Sequence, residues 1–428
     1  MTLQTPPPST DLAETLLSMG RKARAASRAL GKLSADDRTR GLKAVAAAIR
    51  EAAPEILEAN AKDMDAARAK GLDAAMLDRL ALDGSRVAGI ANGVEAVANL
   101  PDPIGRELAR WTVPSGLDIA RVAVPLGVIG IIYESRPNVT ADAGALCLRS
   151  GNAAILRCGS ESALSSRTLV AVMRGALTAE GLPEDAIQLI PTQDREAVGH
   201  LLSGLDGSVD VIVPRGGRSL VERVQRDARV PVIGHLEGLC HVYIDGAADP
   251  ENAIAITVNA KMRRTGVCGS AETLLVDTAI AATLLPKLAD ALKAAGCELR
   301  GDGRARAIVP DMKVATEEDW ATEYLAPILA VSIVDGIDGA LAHISRWSSG
   351  HTEAVLTEDQ AVADKFFADV DSAILLHNAS TQFADGGEFG MGAEIGIATG
   401  RIHARGPVGA EQLTTYKYLV RGKGQVRP

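Results

Sequence analysis

The sequence predicts an α/β protein built from two parallel-sheet domains in series with a small β element. Three observations carry that prediction. Buried strand-like runs alternate with helical runs from residue 127 onward, which is the pattern of a parallel sheet covered on both faces. The alternation comes in two blocks, 127–228 and 251–376. The composition is 47% hydrophobic but only 3% aromatic, and Ala, Gly, Leu and Val dominate, which suits helix-on-sheet layers better than a β-sandwich.

The elements follow in chain order. Residues 11–30 are amphipathic and read as a helix, and Ser34 with Asp37 makes a capping box for the helix that runs to about residue 53. Pro54 opens the next helix and Gly71 closes it; two shorter helices reach Leu100, and 101–116 reads as irregular. Strands are expected at 117–124 and, fully buried, at 127–133. Helices at 141–149, 162–180, 194–202 and 217–228 then alternate with strands at 153–157, 186–190 and 209–213. In the second block a helix at 251–264 breaks at Thr265-Gly266, and a strand follows at 272–276. After it come a helix at 279–295, a strand at 328–334, a helix at 339–347 and a strand at 373–376. The tail is glycine-rich and ends in a strand-like run at 413–420. Residues 1–10, rich in proline, are expected to be disordered.

Length and charge narrow the function. A chain of 428 residues holds two or three domains with a large core. Its net charge of −9 argues against a nucleic-acid footprint and requires any anionic ligand to meet locally placed cations. Five cysteines, without a C-x-x-C, point to a reducing compartment and to neither a disulfide framework nor a metal site. The opening residues lack the basic and apolar regions of a signal peptide, and no uncharged apolar run is long enough to span a bilayer, so a cytoplasmic location is expected.

Cys268 is the leading catalytic candidate. It sits at a helix-to-strand break beside glycine, with Arg263 and Arg264 just upstream, where cations favour thiolate over thiol. The other cysteines read as core, and His235 reads as either an acid–base group or a structural histidine. No G-x-G-x-x-G, Walker A or H-E-x-x-H motif is present. The best phosphate-friendly turn is Arg215-Gly216-Gly217-Arg218, whose amides at a helix N-terminus suit a pyrophosphate or simply make a tight turn. Glu161 follows a strand end at Arg157, and either accepts from ribose hydroxyls or complements a helix dipole.

Four long runs, at 125–139, 234–245, 261–277 and 403–417, identify a resemblance that extends from about residue 12 to 420. The chain resembles the aldehyde dehydrogenase superfamily, and within it the γ-glutamyl phosphate reductase branch. The resemblance implies an aldehyde dehydrogenase-like α/β fold in which NADPH binds without the glycine fingerprint. It implies an NADP-binding domain over 1–114 and 125–256, a catalytic domain over 257–395, and an oligomerisation element from 115–124 and 396–428. Cofactor contacts are implied for Arg157, Glu161, Gly216, Gly217 and Glu323, the nucleophile is Cys268, and Asn138 or Ser135 replaces the usual oxyanion donor. Arg136, Arg263 and Arg264 are candidates for the substrate's phosphate and carboxylate.

The water-activating glutamate of oxidative members falls near 235–237, where it is not clearly matched. An enzyme that reduces an acyl phosphate does not need that water. The expected reaction is therefore the NADPH-dependent reduction of L-glutamyl 5-phosphate to L-glutamate 5-semialdehyde and phosphate through a cysteine thioester, the second step of proline biosynthesis from glutamate. The alternative is an oxidative or CoA-acylating aldehyde dehydrogenase of another substrate. A homo-oligomer is expected, with a functional association with glutamate 5-kinase.

Overall fold

The structure is a computed structural model that describes residues 9–427. Disorder expected for residues 1–8 lies outside the described residues, and Ser9 already belongs to the first helix. The chain divides into two compact units: one formed by 1–234, 390–396 and 408–428, the other by 235–389 and 397–407. The expected boundary between residues 256 and 257 falls inside a helix of the second unit.

The first unit opens with helices α1 (Ser9–Leu30), α2 (Ala35–Glu51), α3 (Ala53–Ala69), α4 (Ala74–Leu80) and α5 (Gly84–Ala98). The capping box forms as expected: Ser34 Oγ accepts from the Asp37 amide at 3.1 Å, and Asp37 accepts from the Ser34 amide at 3.2 Å. Pro54 stands in the first turn of α3, and Gly71 follows its end at φ 74°, the left-handed region where glycine carries no steric penalty. The stretch read as irregular contains a strand, β1 (Glu107–Thr112), which pairs antiparallel with β2 (Asp118–Pro125). Its apolar residues, Leu108, Ala109 and Trp111, do not alternate cleanly with polar ones, so it lacks the period-2 pattern a sequence reading looks for.

Strands β3 (Val128–Tyr133), β4 (Ala153–Arg157), β5 (Ile187–Leu189) and β6 (Val211–Arg215) form a parallel sheet in the order β5-β4-β3-β6. Between them run α6 (Asn138–Arg149), α7 (Ala163–Ala179) and α8 (Arg195–Leu202), and α9 (Arg218–Asp227) follows β6. Every residue of β3 is buried, as a central strand covered on both faces requires. Cys147 and Cys158 are core residues, at 0% and 1% exposure.

The second unit holds a seven-stranded sheet made of β7 (Cys240–Ile244), β8 (Ala271–Asp277), β9 (Glu298–Gly301), β10 (Lys313–Val314), β11 (Ile328–Val334), β12 (Thr352–Leu356) and β13 (Ile374–His377). Every neighbouring pair is parallel, and the order is β10-β9-β11-β8-β7-β12-β13. Successive residues point to opposite faces. Val242, Leu274 and Ala354 therefore join one core with residues of α10 (Pro250–Met262) and α11 (Thr278–Ala294). Tyr243, Leu275 and Val355 join the other with α14 (Gly336–Trp347) and α15 (Gln360–Asp369), after the short helices α12 (Gly303–Ile308) and α13 (Glu317–Trp320). A short ladder of β14 (Ile397–Ala398) and β15 (Gly406–Pro407) belongs to this unit.

The chain closes with β16 (Thr414–Arg421), which pairs antiparallel with β2 and completes a three-stranded sheet in the first unit. Trp111, Tyr416, Tyr418 and Val420 of this sheet are exposed, and Trp111 packs edge-on against Tyr418. No helix among the described residues is long and apolar enough to cross a membrane.

Candidate active site

In the second unit, β8, β7 and β12 are consecutive in the sheet, so the loops that feed their amino ends converge. Cys268 stands in the turn between α10 and β8, His235 on the approach to β7, and His351 directly before β12. The Cys268 sulfur and one ring nitrogen from each histidine all lie within 4.8 Å of one another. The two imidazoles meet edge to face at 4.7 Å. His235 Nδ1 donates to the Ile397 carbonyl at 2.7 Å, because a carbonyl can only accept; that fixes the tautomer and turns Nε2 into the basic nitrogen. His351 is completely buried, with Nδ1 2.9 Å from the Thr352 hydroxyl, and its Nε2 has no hydrogen-bond partner among the described residues.

These neighbours decide the state of the thiol. Burial pushes the Cys268 pKa up, but the electrostatic influence of His351 and hydrogen bonding from His235 outweigh it and hold the thiol well below its usual range. Cys268 is half-buried, whereas the other four cysteines are buried. Burial raises Cys147, Cys158, Cys240 and Cys297, so Cys268 is the one cysteine among the described residues held toward its thiolate form. Cys240 nonetheless takes part, since its Sγ donates to the Cys268 carbonyl at 3.1 Å. The Cys268 amide bonds to no backbone carbonyl among the described residues, which leaves it available as an oxyanion donor.

Glu323, expected on the nicotinamide ribose, accepts the Gly238 amide at 3.0 Å, and burial raises its pKa. Gly238 in turn packs against the Cys268 backbone, so Glu323 and Cys268 share one loop contact. Arg263 and Arg264 follow the end of α10 and are exposed. The same unit carries a cavity of about 410 Å³ lined by Ser348, Ser349, Gly350, Asp371, Arg401 and Arg405. Arg405 donates to the Asp371 carboxylate at 2.6 Å and to its carbonyl at 2.8 Å, and Arg401 also pairs with Asp371.

The remaining expected residues lie in the first unit, at the carboxyl ends of its parallel strands. Ser135 has φ 44°, a left-handed conformation that costs a non-glycine residue energy. It is held there because its amide and hydroxyl both donate to Glu161, at 2.6 and 2.7 Å. Burial pushes Glu161 up, but these bonds and its own amide keep it below the usual carboxylate range. Asn138 opens α6 and donates to Asp142 at 2.9 Å; burial raises Asp142 to about 6. Arg136, between Ser135 and Pro137, is half-buried. Arg157 ends β4 and donates to the carbonyls of Cys158 and Gln193, while its buried Nε has no partner among the described residues.

Gly216 and Gly217 are exposed at the N-terminus of α9, where the Gly217 amide donates to Glu134 at 3.0 Å. A Cβ on Gly216 would lie 2.5 Å from the Glu134 carboxylate, so a larger residue there would make the Glu134 side chain move. A side-chain-free turn on a helix N-terminus after β6, with an orphaned guanidinium nitrogen at the end of β4 two strands away in the same sheet, fits a dinucleotide phosphate. Sequence reasoning passed over Glu134, which lies in the 125–139 run but was given no role, and His351, which lies in none of the four runs.

A model of the aldehyde dehydrogenase family matches residues 10–302. The gamma-glutamyl phosphate reductase of Hyphomonas neptunium is 76% identical over 428 residues, covering 100% of both chains. That of Caulobacter vibrioides is 62% identical over 413 residues, covering 96% of this chain and 100% of its own. Among solved structures, gamma-glutamyl phosphate reductase from Thermotoga maritima superposes with a TM-score of 0.94 at 43% identity, covering 96% of this chain and 100% of that one.

Proposed function

The chain belongs to the γ-glutamyl phosphate reductases of the aldehyde dehydrogenase family, and on that premise we propose that it reduces L-glutamyl 5-phosphate to L-glutamate 5-semialdehyde and phosphate with NADPH. The observation that carries the reading is a single depressed cysteine, Cys268, set between two imidazoles. His235 Nε2 takes the thiol proton, and the resulting imidazolium is stabilised by the Ile397 carbonyl on its other nitrogen. The thiolate attacks the acyl carbon, a carbon–sulfur bond forms, and the carbon–oxygen bond to phosphate breaks. The imidazolium returns its proton to the departing phosphate. When bound, NADPH supplies the hydride that converts the thioester to a thiohemiacetal oxyanion, whose collapse releases aldehyde and thiolate.

The Cys268 amide is the oxyanion donor this reading favours, because the donors of Ser135 and Asn138 already serve Glu161 and Asp142. Where oxidative members carry the glutamate that activates water, the 235–237 segment holds His235 and Glu237, and this reading commits His235 to the thiol. Arg157, Gly216, Gly217 and Glu161 hold the cofactor, and Glu323 orients its ribose. Arg401, Arg405 and Asp371 offer both charges needed by the amino-acid end of the substrate, alongside Arg136, Arg263 and Arg264 for the phosphate. The enzyme acts as a homo-oligomer in the cytoplasm, assembling through the exposed face of the β1-β2-β16 sheet and working with the kinase that makes its labile substrate.

The reverse reaction tests the assignment. Purified protein with L-glutamate 5-semialdehyde and NADP should form NADPH only when inorganic phosphate is present. Formation without phosphate would make water the acceptor, and silence in both would point to coenzyme A or another aldehyde.

A further inference from the structure

We propose that His235, Cys268 and His351 form a three-ligand site for a borderline-soft divalent cation, Zn²⁺, whose binding masks the nucleophile and makes the enzyme zinc-sensitive. Sequence spacing gave no metal site because the ligands come from three separate loops. The donor set is two imidazoles and a thiolate, which favours Zn²⁺ over the oxygen-seeking Mg²⁺ and Ca²⁺.

The geometry is nearly formed. The three ligand atoms lie within 4.8 Å of one another. A tetrahedral zinc with ordinary Zn–N and Zn–S bonds sets such atoms about 3.4–3.6 Å apart. Contraction by roughly 1 Å is within reach of small rotations about the side-chain bonds. Outer contacts already orient the ligands as at metal centres. His235 Nδ1 is tied to the Ile397 carbonyl, and His351 Nδ1 lies against the Thr352 hydroxyl, so Nε2 is the coordinating nitrogen on each ring. His351 supplies the independent sign of a missing ligand: a completely buried imidazole whose Nε2 has no hydrogen-bond partner among the described residues. The fourth position is left to water. On coordination the thiol gives its proton to solvent, a sulfur–zinc bond forms, and no electrons are transferred.

Binding itself rests only on this cluster; its consequence for activity rests on the reductase reading. The test is therefore made without substrate or NADPH. Titration with Zn²⁺ against a chromophoric chelator should show one ion per chain at micromolar free metal. Co²⁺ in its place should give a thiolate charge-transfer band. Cys268→Ser should abolish the band, and His351→Ala should weaken binding by more than the roughly 10–100-fold lost with an outer-shell partner. In the unaltered protein, Zn²⁺ should protect Cys268 from alkylation, and a chelator should restore its rate. Absence of one-to-one binding at micromolar zinc, undiminished binding in both variants, or a Cys268 alkylation rate unchanged by saturating zinc would each overturn the proposal.

Discussion

The Cys268 carbonyl lies where a side chain on Gly238 would have to be: a Cβ at position 238 would stand 2.2 Å from that oxygen and 2.8 Å from the Cys268 Cα. Both partners are backbone, so no rotamer can relieve the contact. The loop entering β7 thus fixes the position of Cys268, and Glu323 fastens that loop through the Gly238 amide.

Gly238→Ala should therefore displace Cys268 without touching the core. A misplacement of about 1 Å costs on the order of 100-fold in rate. Turnover should fall by that amount while the denaturation midpoint changes little, which steady-state kinetics and urea titration would show together. Activity near that of the unaltered enzyme would mean that the loop position is not critical.

The histidines predict the pH behaviour of the thiol. Free cysteine titrates near 8.5, and its alkylation rate follows the thiolate. With the folded-state pKa of Cys268 held well below the usual range, its alkylation should already be on plateau at neutral pH. Removing a positive neighbour disfavours the anion, so His351→Asn or His235→Asn should move the alkylation midpoint upward and slow the reaction at pH 7. Cys268→Ala should abolish turnover and leave NADPH binding, followed by fluorescence, unchanged.

Lys261 and Glu272 make a buried ion pair at 2.5 Å, exposed by 0% and 2%. Burial raises Glu272 to about 7, even with Lys261 beside it. Removing one partner strands the other, so Lys261→Met should cost about 3–5 kcal/mol, and Lys261→Met with Glu272→Leu should recover much of that loss. Urea unfolding of the single and double variants measures both.

His343 is a source of acid sensitivity. Burial and the neighbouring charge of His241 lower it to about 4 from 6.5, with Asp302 acting in the opposite sense and Arg346 adding to the depression. The unfolded chain thus binds the proton more readily than the folded one between these values. Stability contributed by neutral His343 is complete above pH 6.5 and is lost as pH falls toward 4, amounting to about 3 kcal/mol. Comparing urea midpoints at pH 7 and 5 should show a smaller difference for His343→Gln than for the unaltered protein.

Much of this was legible along the chain. The buried run of β3 and the Ser34–Asp37 cap are local signals, one written in hydrophobicity and the other in hydrogen-bonding side chains. Cys268 was legible because a thiol at a glycine-flanked break is chemically distinctive. By contrast, β1 was passed over because its apolar Leu108, Ala109 and Trp111 do not alternate cleanly with polar residues, and Glu134 because its role is to accept an amide from a turn 83 residues away.

The sequence by itself determined the α/β class, the strand–helix alternation of the first unit and the choice of Cys268 as the candidate thiol, because periodicity, caps and residue chemistry act over a few neighbouring positions; it left out β7, β9, β10 and β12 of the second sheet. Only the tertiary structure decided what surrounds that thiol. His235 and His351 are remote from Cys268 along the chain; His235 was legible only as an acid–base or structural histidine, and His351 gave no signal. They become its partners because β8, β7 and β12 are adjacent in one parallel sheet, which brings the loops entering those strands to a common edge.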